Sequence, residues 1–277
     1  MGEKLPADFS LENRVAIITG GAGLLGQKHS EAIAAAGGIP VVTDINIEFA
    51  EQVATRIKSE FGVDSFAFEL DVTDESRILE LVREADLRFG RIDILINNAA
   101  NNPKVEGGEN KQWFRLEKFP LSMWMEDLAV GLTGPFLCSK HIGTYMADRR
   151  TGVILNIASD LALIAPDQRI YRKENLAEDE QFTKPISYSI AKSGLVGMTK
   201  YLASYWGDAG IRVNSISPGG VFVDQDTRFV EKLTSLIPLG RMAKLDEYMA
   251  AVVFLVSDAS TYMTGANLVI DGGRTAW

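Results

Sequence analysis

A tyrosine and a lysine four residues apart, in Tyr188-Ser189-Ile190-Ala191-Lys192, are the residues of this chain best suited to proton chemistry. Four residues span about one helical turn, so on a helix beginning here the two side chains share a face and the ammonium stands beside the phenol. A phenol ordinarily titrates near pH 10. Lowering that toward 7 requires about 4 kcal/mol in favour of phenolate, and a neighbouring positive charge acts in that direction. Such a pair exchanges a proton with a substrate oxygen. The same spacing also describes an exposed helical pair, so the surrounding elements decide between the two.

Those elements alternate between short apolar runs and amphipathic stretches, the pattern of an α/β fold. Val15-Ala16-Ile17-Ile18 reads as a buried strand, and Thr19-Gly20-Gly21-Ala22-Gly23-Leu24-Leu25-Gly26 follows it and opens a helix that runs through Glu31 and Ala36 to Gly37-Gly38. Gly20, Gly23 and Gly26 let the backbone turn tightly and approach a pyrophosphate, while amides at Leu24 and Leu25 face its charge from the helix N-terminus. The next strand, Ile39 to Thr43, closes with Asp44, 18 residues after Gly26, where a carboxylate accepts hydrogen bonds from an adenosine ribose. It repels a 2′-phosphate, and the glycine loop holds no Arg or Lys, so NAD is favoured over NADP. The plainer alternative is that Asp44 caps the following helix.

A helix from about Asn46 to Phe61 precedes a strand from Ser65 to Leu70 and then Asp71-Val72-Thr73, where Asp71 and Val72 fall at an adenine-binding edge. A further strand, Ile92 to Ile96, ends in Asn97-Asn98-Ala99-Ala100. The glycine loop, the strand-end Asp, Asn-Asn-Ala-Ala and the Tyr/Lys pair resemble, in order and rough spacing, the short-chain dehydrogenase/reductase family. The resemblance covers nearly the whole chain, from about Asn13 to Gly273. Val153-Ile154-Leu155-Asn156-Ile157-Ala158-Ser159 resembles the family's fifth strand, and Arg212 to Gly219 its sixth. Pro238-Leu239-Gly240-Arg241 and Asp271-Gly272-Gly273 resemble its C-terminal pattern.

The resemblance implies a Rossmann-type, doubly wound, mostly parallel seven-stranded sheet with helices on both faces, as one domain over residues 1–277. It gives Ser159 the role of holding the substrate oxygen, Tyr188 that of acid/base, and Lys192 that of lowering the tyrosine pKa and binding the nicotinamide ribose. It places Asn97, Asn98 and Ala99 along the cofactor cleft, with Pro218 and Gly219 beside the nicotinamide and the backbone of Val221 on its carboxamide. It also implies a homotetramer or homodimer.

The departures carry information too. The family usually has Asn in the segment Val130-Gly131-Leu132-Thr133-Gly134, where it orders a water linking the lysine to solvent, and Gly131 cannot do that. Leu24 stands where single-domain members usually have glycine, so that Thr19, Gly20, Gly23 and Gly26 resemble the sugar-nucleotide branch. Two long insertions, near 101–122 and 160–186, leave the carboxyl ends of strands and are expected to lie over the substrate. They carry Lys104, Trp113, Arg115, Lys118 and Arg169. Arg115 and Arg169 either pair with a phosphate or carboxylate or are solvated loop charges, and the polar inserts suit a polyol or sugar-like substrate; the inserts resemble those of short-chain dehydrogenases found with bacterial surface-sugar or nonulosonic-acid biosynthesis. The alternatives are a 3-oxoacyl thioester reductase and, in view of Gly131, a non-catalytic NAD-binding sensor or scaffold.

Composition narrows the classes. The chain has 277 residues, 46% of them hydrophobic, and a net charge of −9 with no basic block, so nucleic acid and anionic membrane are not expected partners. The N-terminal residues lack a signal peptide's apolar core, and the expected location is the cytoplasm. The single cysteine, Cys138, reads as inert packing. His29 and His141 lie far apart without a cysteine pattern, so no metal site is expected and both histidines read as surface or satisfied packing.

Overall fold

The computed structural model describes residues 7–101 and 114–277, and Lys104 and Trp113 of the first insertion lie outside them. Seven strands form one sheet: β1 (Val15–Thr19), β2 (Ile39–Asp44), β3 (Phe66–Glu69), β4 (Ile94–Asn97), β5 (Gly152–Ile157), β6 (Ile211–Pro218) and β7 (Asn267–Ile270). Their order is β3-β2-β1-β4-β5-β6-β7, and every neighbouring pair is parallel, so the sheet is wholly rather than mostly parallel.

A parallel sheet covered on both faces needs apolar residues at every position, which is why β1 and β4 read as unbroken apolar runs. Ile17, Leu95, Ile154 and Val213 face a layer made by α3 (Glu75–Phe89), α5 (Gly134–Asp148) and α6 (Ile186–Tyr205). Their strand neighbours Ile18, Ile96, Leu155 and Ile216 face α1 (Leu24–Ala35) and α8 (Met249–Val256), and α2 (Ile47–Phe61) packs beside α1. Cys138 is fully buried in the first layer, and burial pushes its thiol up to about 12, as expected of a packing cysteine. His29 corrects its sequence reading. It is 1% exposed within α1, neither ring nitrogen has a hydrogen-bond partner among the described residues, and burial pulls its pKa down to about 4. His141, by contrast, bonds Glu75 at 2.6 Å.

The chain leaves β1 for β2 and β3 on one side and returns to β4 on the other, which opens a crevice between the carboxyl ends of β1 and β4. α4 (Leu121–Leu128) runs into α5 through a π-helical turn, Ala129–Thr133, and α7 (Thr227–Thr234) follows β6. Irregular turns inside helices are commonly found at functional sites, and this one lies against α6 at Gly131.

The insertion at 160–186 is ordered by its own side chains into short 3-10 turns. The Gln168 amide bonds both the N–H and the carbonyl of Lys184, and Gln181 bonds Lys173 and Leu176. Ile170 is buried with Leu233, Ile237 and Met242, which ties the insertion to α7. Thr183 and Arg115 join it to the end of the first insertion, at the carbonyls of Phe114 and Glu178.

Candidate active site

At the β1 end of the crevice the glycines are required sterically. Gly20 has φ +60°, and a Cβ there would stand 3.0 Å from Cα of Ala99, while a Cβ on Gly26 would stand 2.1 Å from the Gly20 carbonyl. Asn98 braces the loop by donating to the carbonyls of Thr19 and Gly20, and the Thr19 hydroxyl accepts from the amides of Asn98 and Ala99. Gly23 caps α1 without a side chain, which leaves the first-turn amides at Leu24, Leu25 and Gly26 open toward the crevice mouth.

Asp44 ends β2 beside this loop. Its Oδ2 accepts the Ala22 amide at 3.1 Å and its Oδ1 the Asn46 amide at 3.1 Å. The helix cap proper is Asn46, whose side chain accepts from Phe49, so Asp44 is not needed for that purpose. Asp71 accepts from the amide and hydroxyl of Thr73, and Val72 packs against Gly134. Asn97 is withdrawn from the crevice: it is 1% exposed and donates to Ser139 and Asn156 beneath the sheet. At the end of β6, Gly219 accepts from the Tyr248 hydroxyl, next to Pro218, and the Val221 carbonyl accepts from Gln225.

Ser159 lies two residues beyond β5, Tyr188 and Lys192 lie in the first turns of α6, and the three converge. Burial above all, and the nearby Asp160 carboxylate, raise the Tyr188 pKa; the neighbouring Ser159 hydroxyl acts the other way, and the net shift is upward. Lys192 stands 5.9 Å from the Tyr188 ring centre and donates to the Ile157 carbonyl at 2.6 Å. Burial pulls this ammonium down to about 8, with Lys184 adding in the same direction. In the protein alone the phenol is thus shifted upward, chiefly by burial, against the lowering expected of Lys192.

Three residues at this centre escape sequence reasoning. Lys184 lies 4.2 Å from the Tyr188 ring centre, pulled down to about 8 by burial against the opposing influence of Asp160 and Asp127. It is one turn before the tyrosine but ahead of Pro185, where the helix has not begun, so helical periodicity gives no signal. Asp160 receives the Ser159 hydroxyl at 2.9 Å, and Arg274 donates to its other oxygen at 2.8 Å. Adjacency to Ser159 was the one available hint for Asp160; nothing in spacing pairs it with a residue 114 positions away. Arg169 and Arg115 are engaged within the insertions, Arg169 in a fork with Asp167 and Arg115 with Glu117 and the Glu178 carbonyl. Among the described residues no His/Cys/Asp/Glu cluster could hold a metal.

A parallel sheet with a glycine-lined crevice at its switch point, and a Tyr/Lys/Ser cluster beside it, defines a dinucleotide-dependent oxidoreductase architecture. Comparison with known proteins names the family. The model described as enoyl-(acyl carrier protein) reductase matches residues 22–275. D-threitol dehydrogenase of Mycolicibacterium smegmatis is 36% identical over 97% of this chain and 95% of its own length. An NADP-dependent mannitol dehydrogenase of Aureobasidium melanogenum is 34% identical over 99% and 97%, and an NAD-dependent glycerol dehydrogenase of Listeria innocua 32% identical over 97% and 96%. A gluconate 5-dehydrogenase from Burkholderia cenocepacia, solved with NADP and tartrate, superposes with a TM-score of 0.82 at 29% identity, covering 98% of each chain. This chain belongs to the short-chain dehydrogenase/reductase family, NAD(P)-dependent oxidoreductases acting on CH–OH groups.

Proposed function

We propose that this protein is an NAD-dependent dehydrogenase of a small polyol or sugar-like alcohol, with Tyr188 as acid/base. The observation that carries the reading is the convergence of Ser159, Tyr188 and Lys192 beside the glycine crevice. The crevice fits a dinucleotide, since its floor is backbone packed too closely for any Cβ and its rim is a bare helix N-terminus. Gly20, Gly23, Leu24, Leu25 and Gly26 would hold the pyrophosphate, Asp44 the adenosine ribose, and Asp71, Val72, Asn98 and Ala99 the adenine side and floor. Lys192 would hold the second ribose, and Pro218, Gly219 and Val221 the nicotinamide end. The bound nicotinamide supplies the hydride acceptor.

The chain's own residues handle the proton. Tyr188 takes the hydroxyl proton of the alcohol as the carbonyl forms, and Ser159 donates a hydrogen bond to the same oxygen. Burial and Asp160 favour the neutral phenol, so the phenolate needs a compensating positive charge near the site, which Lys192 and Lys184 are placed to give. Asp44, held against the loop by the Ala22 amide, favours NAD over NADP because a 2′-phosphate would meet its carboxylate. The relatives' names include both cofactors, and this carboxylate is the reason for choosing NAD here.

Polyol substrates are favoured over acyl thioesters by the relatives' names and by the ordered polar insertion above Tyr188. A homotetramer is also proposed. Its support is the exposed, stacked Tyr201 and Tyr205 on α6 and the exposed Trp277, and a monomer by light scattering at micromolar concentration would refute it. No described helix is long and apolar enough to cross a membrane, in keeping with the cytoplasmic location proposed.

The test is nicotinamide reduction at 340 nm with NAD or NADP against threitol, mannitol, glycerol, xylitol and gluconate, with acetoacetyl thioester and NADH in the reverse direction. Turnover of a polyol with NAD, lost in Tyr188→Phe, is expected. Turnover of the thioester alone would overturn the substrate class, and tight NADH binding without any turnover would favour a sensor.

A further inference from the structure

The C-terminal turn reaches into the active site. After β7, Gly272 and Gly273 take φ of +68° and +90°, conformations suited to glycine, and fold the chain back over Asp271. Asp271 accepts the amides of Gly273 at 2.8 Å and Thr275 at 2.7 Å, and the Trp277 indole donates to the Leu236 carbonyl. This turn carries Arg274, 7% exposed, to Asp160, 3% exposed. Both carboxylate oxygens are used: Oδ2 accepts Arg274, while Oδ1 accepts the Leu161 amide at 2.8 Å and the Ser159 hydroxyl at 2.9 Å.

A serine hydroxyl has one proton to give. Asp160 and the reacting oxygen compete for the proton of Ser159. A buried carboxylate without a cation is a strong acceptor, and one paired with a guanidinium is a weaker one. We infer that Arg274 is a positioning residue for the dehydrogenase reaction: by pairing with Asp160 it fixes the Ser159 oxygen and leaves the serine proton available to the substrate oxygen.

The inference rests on the proposed reaction and explains an otherwise costly feature, since an ion pair this buried contributes little net stability against an apolar replacement. The other groups facing Asp160 are Lys184, Tyr188, Tyr171 and Tyr248. None of the described contacts places them between Asp160 and Ser159.

The experiment compares Arg274→Met, Arg274→Lys and the double variant Arg274→Met with Asp160→Asn, in the full chain, using NAD with D-threitol and D-mannitol. NADH fluorescence titration verifies that each variant keeps its cofactor site. Arg274→Met is expected to lower kcat roughly 10²-fold, the scale of losing one donor to a reacting oxygen, with the KM for NAD changed less than about threefold. Arg274→Lys restores most of the rate. The double variant recovers at least about tenfold over Arg274→Met, because a neutral amide oxygen competes weakly for the serine proton. A double variant no faster than Arg274→Met, with NADH affinity intact in both, overturns the inference.

A second measurement needs no turnover. In ¹³Cζ-tyrosine NMR, with the Tyr188 signal assigned through Tyr188→Phe, the double variant is expected to titrate at lower pH than Arg274→Met, from which it differs only in lacking the Asp160 charge that raises this phenol. An unmoved curve overturns the link between Asp160 and the reacting centre. A moved curve without polyol turnover in the wild type upholds that link and sinks the substrate reading instead.

Discussion

The two ends of the crevice are built from different materials. The cofactor end is mostly backbone: glycines at Gly20, Gly23 and Gly26 and helix amides, with the carboxylates of Asp44 and Asp71 held by neighbouring amides. The substrate end is buried charge: Asp160, Arg274 and Lys192 are each under 10% exposed, and Lys184 lies against the tyrosine ring. Backbone recognition works through shape and tolerates almost no added atoms. Charged side chains work through mutual pairing, so removing one member exposes another. The first end should therefore fail through steric substitution and the second through loss of a partner.

The largest expected effect is at the substrate end. Tyr188→Phe should reduce kcat by at least about 10²-fold while NADH affinity, read by fluorescence, stays within a few fold. Equal losses in both would erase the proposed division of labour. At the cofactor end, Gly26→Ala places a methyl 2.1 Å from the Gly20 carbonyl, so the loop must shift. We expect NADH affinity to fall at least about tenfold and stability by about 1–3 kcal/mol in urea melts. Asp44→Ser is expected to keep the fold and lower the NAD-to-NADP ratio of kcat/KM by about tenfold or more, through one lost charged hydrogen bond and relieved repulsion.

His29 gives the cofactor end its own pH dependence. Its folded pKa, near 4, is below the ordinary 6.5, so the stability it contributes is full above about pH 6.5 and is lost as pH falls through 4. That loss approaches about 3 kcal/mol, and His29→Leu should flatten the acid limb of a stability-versus-pH curve by this amount. A limb unchanged in the variant would assign the acid loss to other groups. The smallest effect is expected at Gly131→Ala. A methyl there meets Ala191 at 3.1 Å, a tight contact offset by the gain from replacing a helical glycine, so Tm should correspond to a change within about 1 kcal/mol.

Much of the cofactor end was legible because its determinants are local. A glycine loop after an apolar strand and an acid at the end of the next strand are contiguous patterns, and β1, α1, β2 and Asp44 fall where periodicity puts them. Asn97 shows the limit: its neighbour Asn98 braces the loop, but strand alternation turns Asn97 to the other side, toward Ser139 and Asn156. The insertions were legible as long polar segments, whereas the partners of Arg115 and Arg169 depended on tertiary folding.

By itself, then, the sequence determined the alternating strands and helices, the tight glycine turn, the acid beside it and the Tyr/Lys pair, since each depends on residues within a turn or two of one another. Only the tertiary structure decided that His29 is buried without a hydrogen-bond partner among the described residues, that Lys184 lies on the tyrosine ring, and that Arg274 meets Asp160 beside Ser159. Those outcomes depend on burial and on pairing between distant segments. A side chain's charge and hydrogen-bonding energy are set by what surrounds it, and those surroundings exist only once the sheet, the insertion and the C-terminal turn have packed together.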